Sequence, residues 1–170
     1  FDEIQTGLGR MGRWFFAGHE GIVPDLLTLA KGLGSGIPVA ATALRADLAA
    51  SLKPHDLGST FGGGPTAMAA VLATLEVLDA EDCIARAGRL GARLATGIRA
   101  HPEYESLGEG LLIGLKTRGP SHPLGEELFR QGFLVGASRD PRVLRLLPPL
   151  TLRERSVGRF LAALDRIRSS

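Results

Sequence analysis

The apolar positions of this 170-residue chain change period along its length, and each period predicts a different element. Two short apolar runs come first, PDLLTLAKG (24–32) and IPVAATAL (37–44). Bounded by glycine and proline, they predict two strands joined by a glycine loop. From Pro65 the stretch PTAMAAVLATLEVLDAED keeps small and apolar residues at helical spacing, with proline in the first turn, where its missing N–H is tolerated. It predicts a long, well-buried helix. Between about Ile84 and Ala100 the pattern becomes one-sided, with Arg86, Arg89, Arg93 and Arg99 on the polar face, and predicts an amphipathic helix that stops at the HPE turn of 101–103.

Beyond that turn, GEGLLIGLKT (108–117) predicts a strand behind a glycine turn, and GEELFRQG a short helix ending at Gly132. FLVGA (133–137) and VLRLLPPL (143–150) predict two more strands, and SVGRFLAALDRI (156–167) a closing helix. The order from about residue 81 is therefore helix, strand, helix, strand, strand, helix, a small α+β layer of its own. The expected division is 1–80 and 81–170. No repeat appears at solenoid periods.

Composition narrows the function classes. With 44% apolar and 22% charged residues the chain can bury a sizeable core. Its formal charge is only +2 and its basic residues are dispersed, which argues against a nucleic-acid groove. No apolar run approaches the roughly 20 residues of a membrane helix, and no signal pattern is visible. A single cysteine, Cys83, excludes an internal disulfide framework and fits a reducing, cytoplasmic setting. No metal site is expected. All but three of the 20 basic residues are arginine, so Lys31, Lys53 and Lys116 stand out, and Lys31 ends an apolar run.

Four constellations could carry chemistry: Asp2 with Gln5, Lys31 in TLAKGLGSG, Ser59 and Thr60 in GSTFGGGP, and Arg145 in RLLPPL. Each also has a structural explanation. Asp2 could end a strand or cap a helix, Lys31 could be a surface lysine, the glycine stretches could be ordinary turns, and Arg145 could be half of an ion pair. Together they form a parts list for pyridoxal phosphate. That cofactor needs a lysine amine for a Schiff base, a carboxylate facing its pyridinium nitrogen, and donors for its phosphate. An apolar flank such as LLTLA helps to desolvate the amine. A threonine hydroxyl with backbone amides of a glycine loop suits a dianionic phosphate, and an arginine fork suits a substrate carboxylate. Neither nucleotide phosphate-loop pattern is present.

FDEIQTGLGRMGRWF, GIVPDLLTLAKGLGSGIPVAA, GSTFGGGPTAMAA and VLRLLPPLT resemble, in this order and spacing, the C-terminal half of class III pyridoxal-phosphate aminotransferases, nearest to the acetylornithine and ornithine aminotransferase group. The resemblance implies an α/β fold of the aspartate-aminotransferase type (fold type I). Residues 1–80 would be the remainder of the large cofactor-binding domain and 81–170 the small C-terminal domain, with FDE the end of a core strand. It implies that Asp2 partners the ring nitrogen, Gln5 meets the ring hydroxyl, and Lys31 is the Schiff-base lysine. Thr60, with Ser59, would bind the phosphate across the interface of a homodimer with shared sites, and Arg145 would hold the substrate α-carboxylate.

The implied reaction moves an amino group between an ω-amine donor of the acetylornithine or ornithine type and 2-oxoglutarate. The alternatives are a 4-aminobutyrate-type or glutamate-semialdehyde aminomutase-type member, or a truncated chain without activity. Two departures from the family pattern are visible: Gly64 stands where an Asn is usual, and Gly18 and Glu20 stand beside the His where an acidic and an aromatic residue are common.

Overall fold

A computed structural model of the protein describes residues 1–19 and 21–168; Glu20 lies outside the described residues. The chain divides into two compact units, Phe1–Ile84 and Ala85–Ser170.

The first unit is built on a two-stranded antiparallel sheet, β1 (Leu26–Leu29) and β2 (Ala41–Leu44), in which Thr28 faces Thr42. The two apolar runs of the sequence therefore do form strands, each shorter than predicted because the glycine-rich stretch takes up residues on both sides. A 3-10 turn at Lys31–Gly34 follows β1 directly. A short helix, α1 (Ala46–Ala49), and a long one, α2 (Pro65–Ala80), complete the unit. Proline at the start of α2 is where the sequence placed it.

The expectation that α2 is well buried does not hold. Only its Leu78 is buried, while Met68, Leu72 and Val77 are exposed. Its apolar residues surround the helix rather than forming a stripe, and within its unit the helix packs chiefly on the 3-10 turn. A small core of Leu8, Met11, Ala17, Leu33 and Cys83 sits beneath the loops. The buried acid Glu3 is 2% exposed and fully engaged: its carboxylate accepts N–H bonds from Phe16 and Ala17, both at 2.8 Å, and the Thr6 hydroxyl at 3.2 Å.

The second unit packs three helices against one sheet. Helix α3 (Cys83–Arg99) begins in the first unit and belongs mostly to the second. The remaining elements are β3 (Tyr104–Glu109), β4 (Leu112–Thr117), α4 (His122–Arg130), β5 (Gly136–Ala137), β6 (Val143–Leu146) and α5 (Glu154–Arg168). The strands are antiparallel in the order β3-β4-β6-β5. The single strand expected over 108–117 is instead a hairpin. Gly108 and Gly110, both at positive φ, shape its turn, and β3 forms an edge.

Alternation sets the two faces of this sheet. Ile113 and Leu115 of β4 stand opposite Leu146 and Leu144 of β6, and all four are buried with Ala87, Leu90, Leu94 and Ile98 of α3. The spacing of those α3 residues is the one-sided pattern of the sequence, and its opposite face carries Arg89, Arg93 and Arg99 in water. On α5, Val157, Phe160 and Leu164 repeat the pattern. Asp140 accepts a forked contact from the Arg142 guanidinium and the Arg142 backbone N–H at 2.9 Å, which holds its carboxyl down to about 2. What the pair adds to stability is therefore present above the ordinary carboxylate range and lost as the pH falls toward 2.

One contact fixes how closely α3 approaches the hairpin. A Cβ added at Gly91 would lie far inside van der Waals contact with the Gly110 carbonyl group. At Gly97 an added Cβ meets only the end of the Leu161 side chain, at 2.5 Å. Gly91→Ala should therefore cost about 1–3 kcal/mol in urea unfolding. Gly97→Ala should cost less, because Leu161 can turn aside and the helix gains up to about 1 kcal/mol of intrinsic propensity. Equal stabilities for the two variants would contradict this packing.

Candidate active site

The residues around Asp2 are organised by a short parallel ladder. Glu3 N–H donates to the Thr28 carbonyl at 3.0 Å and Thr28 N–H donates to the Phe1 carbonyl at 3.0 Å, which sets Asp2 opposite Thr28. In parallel pairing the carboxyl ends of both segments point the same way. Asp2 and the turn after it therefore share one end of the ladder with Lys31, three residues beyond Thr28 on the other segment. The carboxyl ends of parallel strands are where open α/β sheets place their ligands.

Asp2 is exposed and held at one oxygen. Its Oδ1 accepts the Ile4 N–H at 3.0 Å and the Thr28 hydroxyl at 3.1 Å. Among the described residues, no donor meets Oδ2. Lys31 sits at φ +47°, a left-handed conformation that costs a side-chain-bearing residue about 1–2 kcal/mol. The turn that holds it there is tied by Leu33 N–H to the Ala30 carbonyl (3.0 Å) and anchored by buried Leu33 and Gly34. The Lys31 side chain is exposed, and among the described residues its amine forms no ion pair. Of the other two lysines, Lys116 is bound to Glu105 at 2.7 Å.

Gln5 is exposed in the turn that follows Asp2, and Glu3 pins that turn from below through Phe16 and Ala17. Ser59 and Thr60 lie in an exposed loop just before α2, among Gly58, Gly62, Gly63 and Gly64, with Gly63 at φ +69°. Among the described residues, no hydrogen bond or ion pair joins this loop to Asp2, Gln5 or Lys31. Its neighbours Leu57 and Phe61 are 71% and 93% exposed. Arg145 belongs to the second unit, exposed on β6 between Gly114 of β4 and Gly136 of β5. Asp2 thus sits on a parallel bridge to β1, Gln5 and Lys31 follow the two paired segments, and the hydroxyl loop and the arginine belong to other stretches of the chain.

Two residues of this arrangement escape sequence reasoning. Thr28 is read there only as part of an apolar run, although it is the one hydroxyl inside LLTLA. Glu3 is the other. An acid next to Asp2 in FDE was the available signal, but its partners stand 13 and 14 residues away.

The aminotransferase class-III family model matches residues 1–167. The chain belongs to the class III aminotransferase family. The acetylornithine aminotransferase of Mycolicibacterium smegmatis is 46% identical over 98% of this chain. An acetylornithine aminotransferase structure from Elizabethkingia anophelis superposes with a TM-score of 0.88 at 30% identity over 96% of the chain. An ornithine aminotransferase structure from Toxoplasma gondii, with pyridoxal phosphate at partial occupancy in its active site, does so with a TM-score of 0.88 at 35% identity over 99%. The chain spans 43%, 45% and 44% of these three proteins respectively. Family and fold are thus those the sequence blocks resemble. Among the described residues of this class III chain, no helix is long and apolar enough to cross a membrane, and no cluster of His, Cys, Asp and Glu could hold a metal ion.

Glu3→Gln replaces one of the two accepting oxygens with a donor that faces a backbone N–H. Urea unfolding followed by the fluorescence of Trp14, which lies in the pinned loop, should show a loss of about 2–3 kcal/mol. A change within about 0.5 kcal/mol, the range of ordinary surface substitutions, would mean that Glu3 does not organise this loop.

Proposed function

We propose that this chain forms part of a pyridoxal-phosphate aminotransferase that moves an amino group between an ω-amine of the acetylornithine or ornithine type and 2-oxoglutarate. The observation that carries the reading is a lysine in a left-handed turn just after β1, its amine paired with none of the described residues, beside a bridge that holds the Asp2 carboxylate by one oxygen. Family membership supports it.

The donor set fits the cofactor. A primary amine suits its aldehyde, an ionised carboxylate its ring nitrogen, and two exposed hydroxyls in a glycine loop its phosphate. Lys31 would hold it covalently, Asp2 at the ring nitrogen, Gln5 at the ring hydroxyl, and Ser59 and Thr60 at the phosphate. When bound, the group supplies an electron sink for the pair released at the substrate's amine-bearing carbon. Thr28 and the Ile4 N–H fix the Asp2 carboxylate so that its second oxygen remains available. Lys31 Nζ, when free, takes the proton from the substrate carbon and returns it, general base and acid by turns. Arg145 offers its fork to the substrate carboxylate.

On this reading residues 1–80 contribute to a large cofactor domain and 81–170 form a small one. The working form is a cytoplasmic homodimer. The exposure of Leu57 and Phe61 beside Ser59 and Thr60 supports a role for that loop against a second subunit, since bare apolar residues around polar ones mark interaction surfaces.

The chain should be incubated with pyridoxal phosphate, reduced with borohydride, and the modified lysine located by peptide mass spectrometry. The adduct is expected at Lys31 rather than Lys53 or Lys116. At subsaturating cofactor its yield should fall about fivefold in Thr28→Val, the worth of one hydrogen bond, and recover in Thr28→Ser. Adducts spread evenly over the three lysines would contradict the reading.

A further inference from the structure

On the solvent-facing side of the second sheet, Leu107, Gly114, Arg145 and Gly136 form one row across β3, β4, β6 and β5. Arg145 therefore has a glycine as its direct cross-strand neighbour on each side. The adjacent row shows the usual outcome for a basic residue on such a face: Lys116 stands opposite Glu105 and is bound to it at 2.7 Å. Arg145 has no such acid, and among the described residues its guanidinium makes no hydrogen bond or ion pair. Its side chain lies over the bare backbone of Gly136, where an added Cβ would meet Arg145 Cβ at 3.6 Å and Nε at 3.7 Å. On the other side, an added Cβ at Gly114 would meet Val143 Cγ1 at 3.1 Å and Leu107 Cβ at 3.4 Å.

Neither glycine is explained by backbone conformation, since neither has a positive φ. In a strand, glycine weakens the element and commonly marks a close approach. We propose that Gly136 is a positioning residue that keeps one flank of Arg145 clear, so that its guanidinium is presented to a ligand carboxylate, whereas Gly114 is accounted for by the closeness of Val143 and Leu107. The open space over Gly136, rather than the arginine alone, then sets the preference for carboxylate-bearing over carboxylate-free amines. The inference rests on the reading of Arg145 given under the proposed function. Bidentate recognition requires the fork to lie in one plane with the carboxylate, so a side chain that tilts it loses more than one that only crowds it.

The test is phenylglyoxal modification of Arg145, located by peptide mass spectrometry, with glutarate as the carboxylate probe and glutaramide as its uncharged counterpart. In the wild-type chain glutarate should protect Arg145 and glutaramide should not. In Gly136→Val the glutarate concentration for half-protection should rise about tenfold, and in Gly136→Ala by a smaller factor. The labelling rate without probe and the far-UV circular dichroism should stay unchanged in both variants, and in a control, Gly119→Ala, whose added Cβ meets nothing within 4 Å. A merely structural glycine would alter the spectrum or the bare labelling rate instead. Should Gly136→Val fail to fold, Gly136→Ala, whose new contacts are ordinary, decides alone. Equal protection in wild type and Gly136 variants would overturn the positioning role. Absence of protection in the wild type would overturn both the proposal and the assignment of Arg145 to the carboxylate.

Discussion

Two main-chain hydrogen bonds, from Glu3 to Thr28 and from Thr28 to Phe1, are the constraint on which the candidate site depends. They make residues 1–3 a parallel neighbour of β1, so that a carboxylate and a lysine 29 positions apart in the chain emerge at one end of one ladder. The same pairing brings the Thr28 hydroxyl to Asp2 Oδ1. The lysine's left-handed backbone is unfavourable by itself and persists because Leu33 and Gly34 are buried directly after it. Strain held by surrounding packing is a common property of functional positions.

The two units depend on different forces. The second closes a continuous apolar core between α3, α4, α5 and one face of its sheet, and that core leaves the opposite face free to carry Arg145. The first has few buried apolar residues and relies more on polar anchoring, with Glu3 holding two backbone amides from beneath the turn. A site built on short hydrogen-bonded turns rather than on a deep core is one whose geometry individual side chains can set.

Much of the second unit was legible in the sequence because its helices are one-sided. Apolar spacing of three and four in α3 and α5 leaves little choice of face. Strand β3 was hidden because YESLGE carries two acids and a glycine, the composition of an edge strand that packs little. The burial of α2 was overestimated for the opposite reason. Its apolar letters surround the helix, and composition cannot say what covers each side. Residue types and the glycine blocks single out Asp2, Gln5, Lys31, Ser59, Thr60 and Arg145 as candidates, of which the fold places Asp2 on the bridge to β1 and Gln5 and Lys31 in the turns that follow the paired segments. Thr28 and Glu3 were not legible, since each acts through a partner that only the folded pairing brings near.

The candidate site stands most directly on the parallel pairing of residues 1–3 with β1. Amide hydrogen exchange of the 170-residue chain, read residue by residue by NMR, tests it. The Glu3 and Thr28 amides should exchange far more slowly than those of Ser59 and Thr60 in the open loop. Exchange of Glu3 and Thr28 at the loop's rate would mean that residues 1–3 do not pair with β1, and that nothing holds Asp2 and Lys31 at a common end.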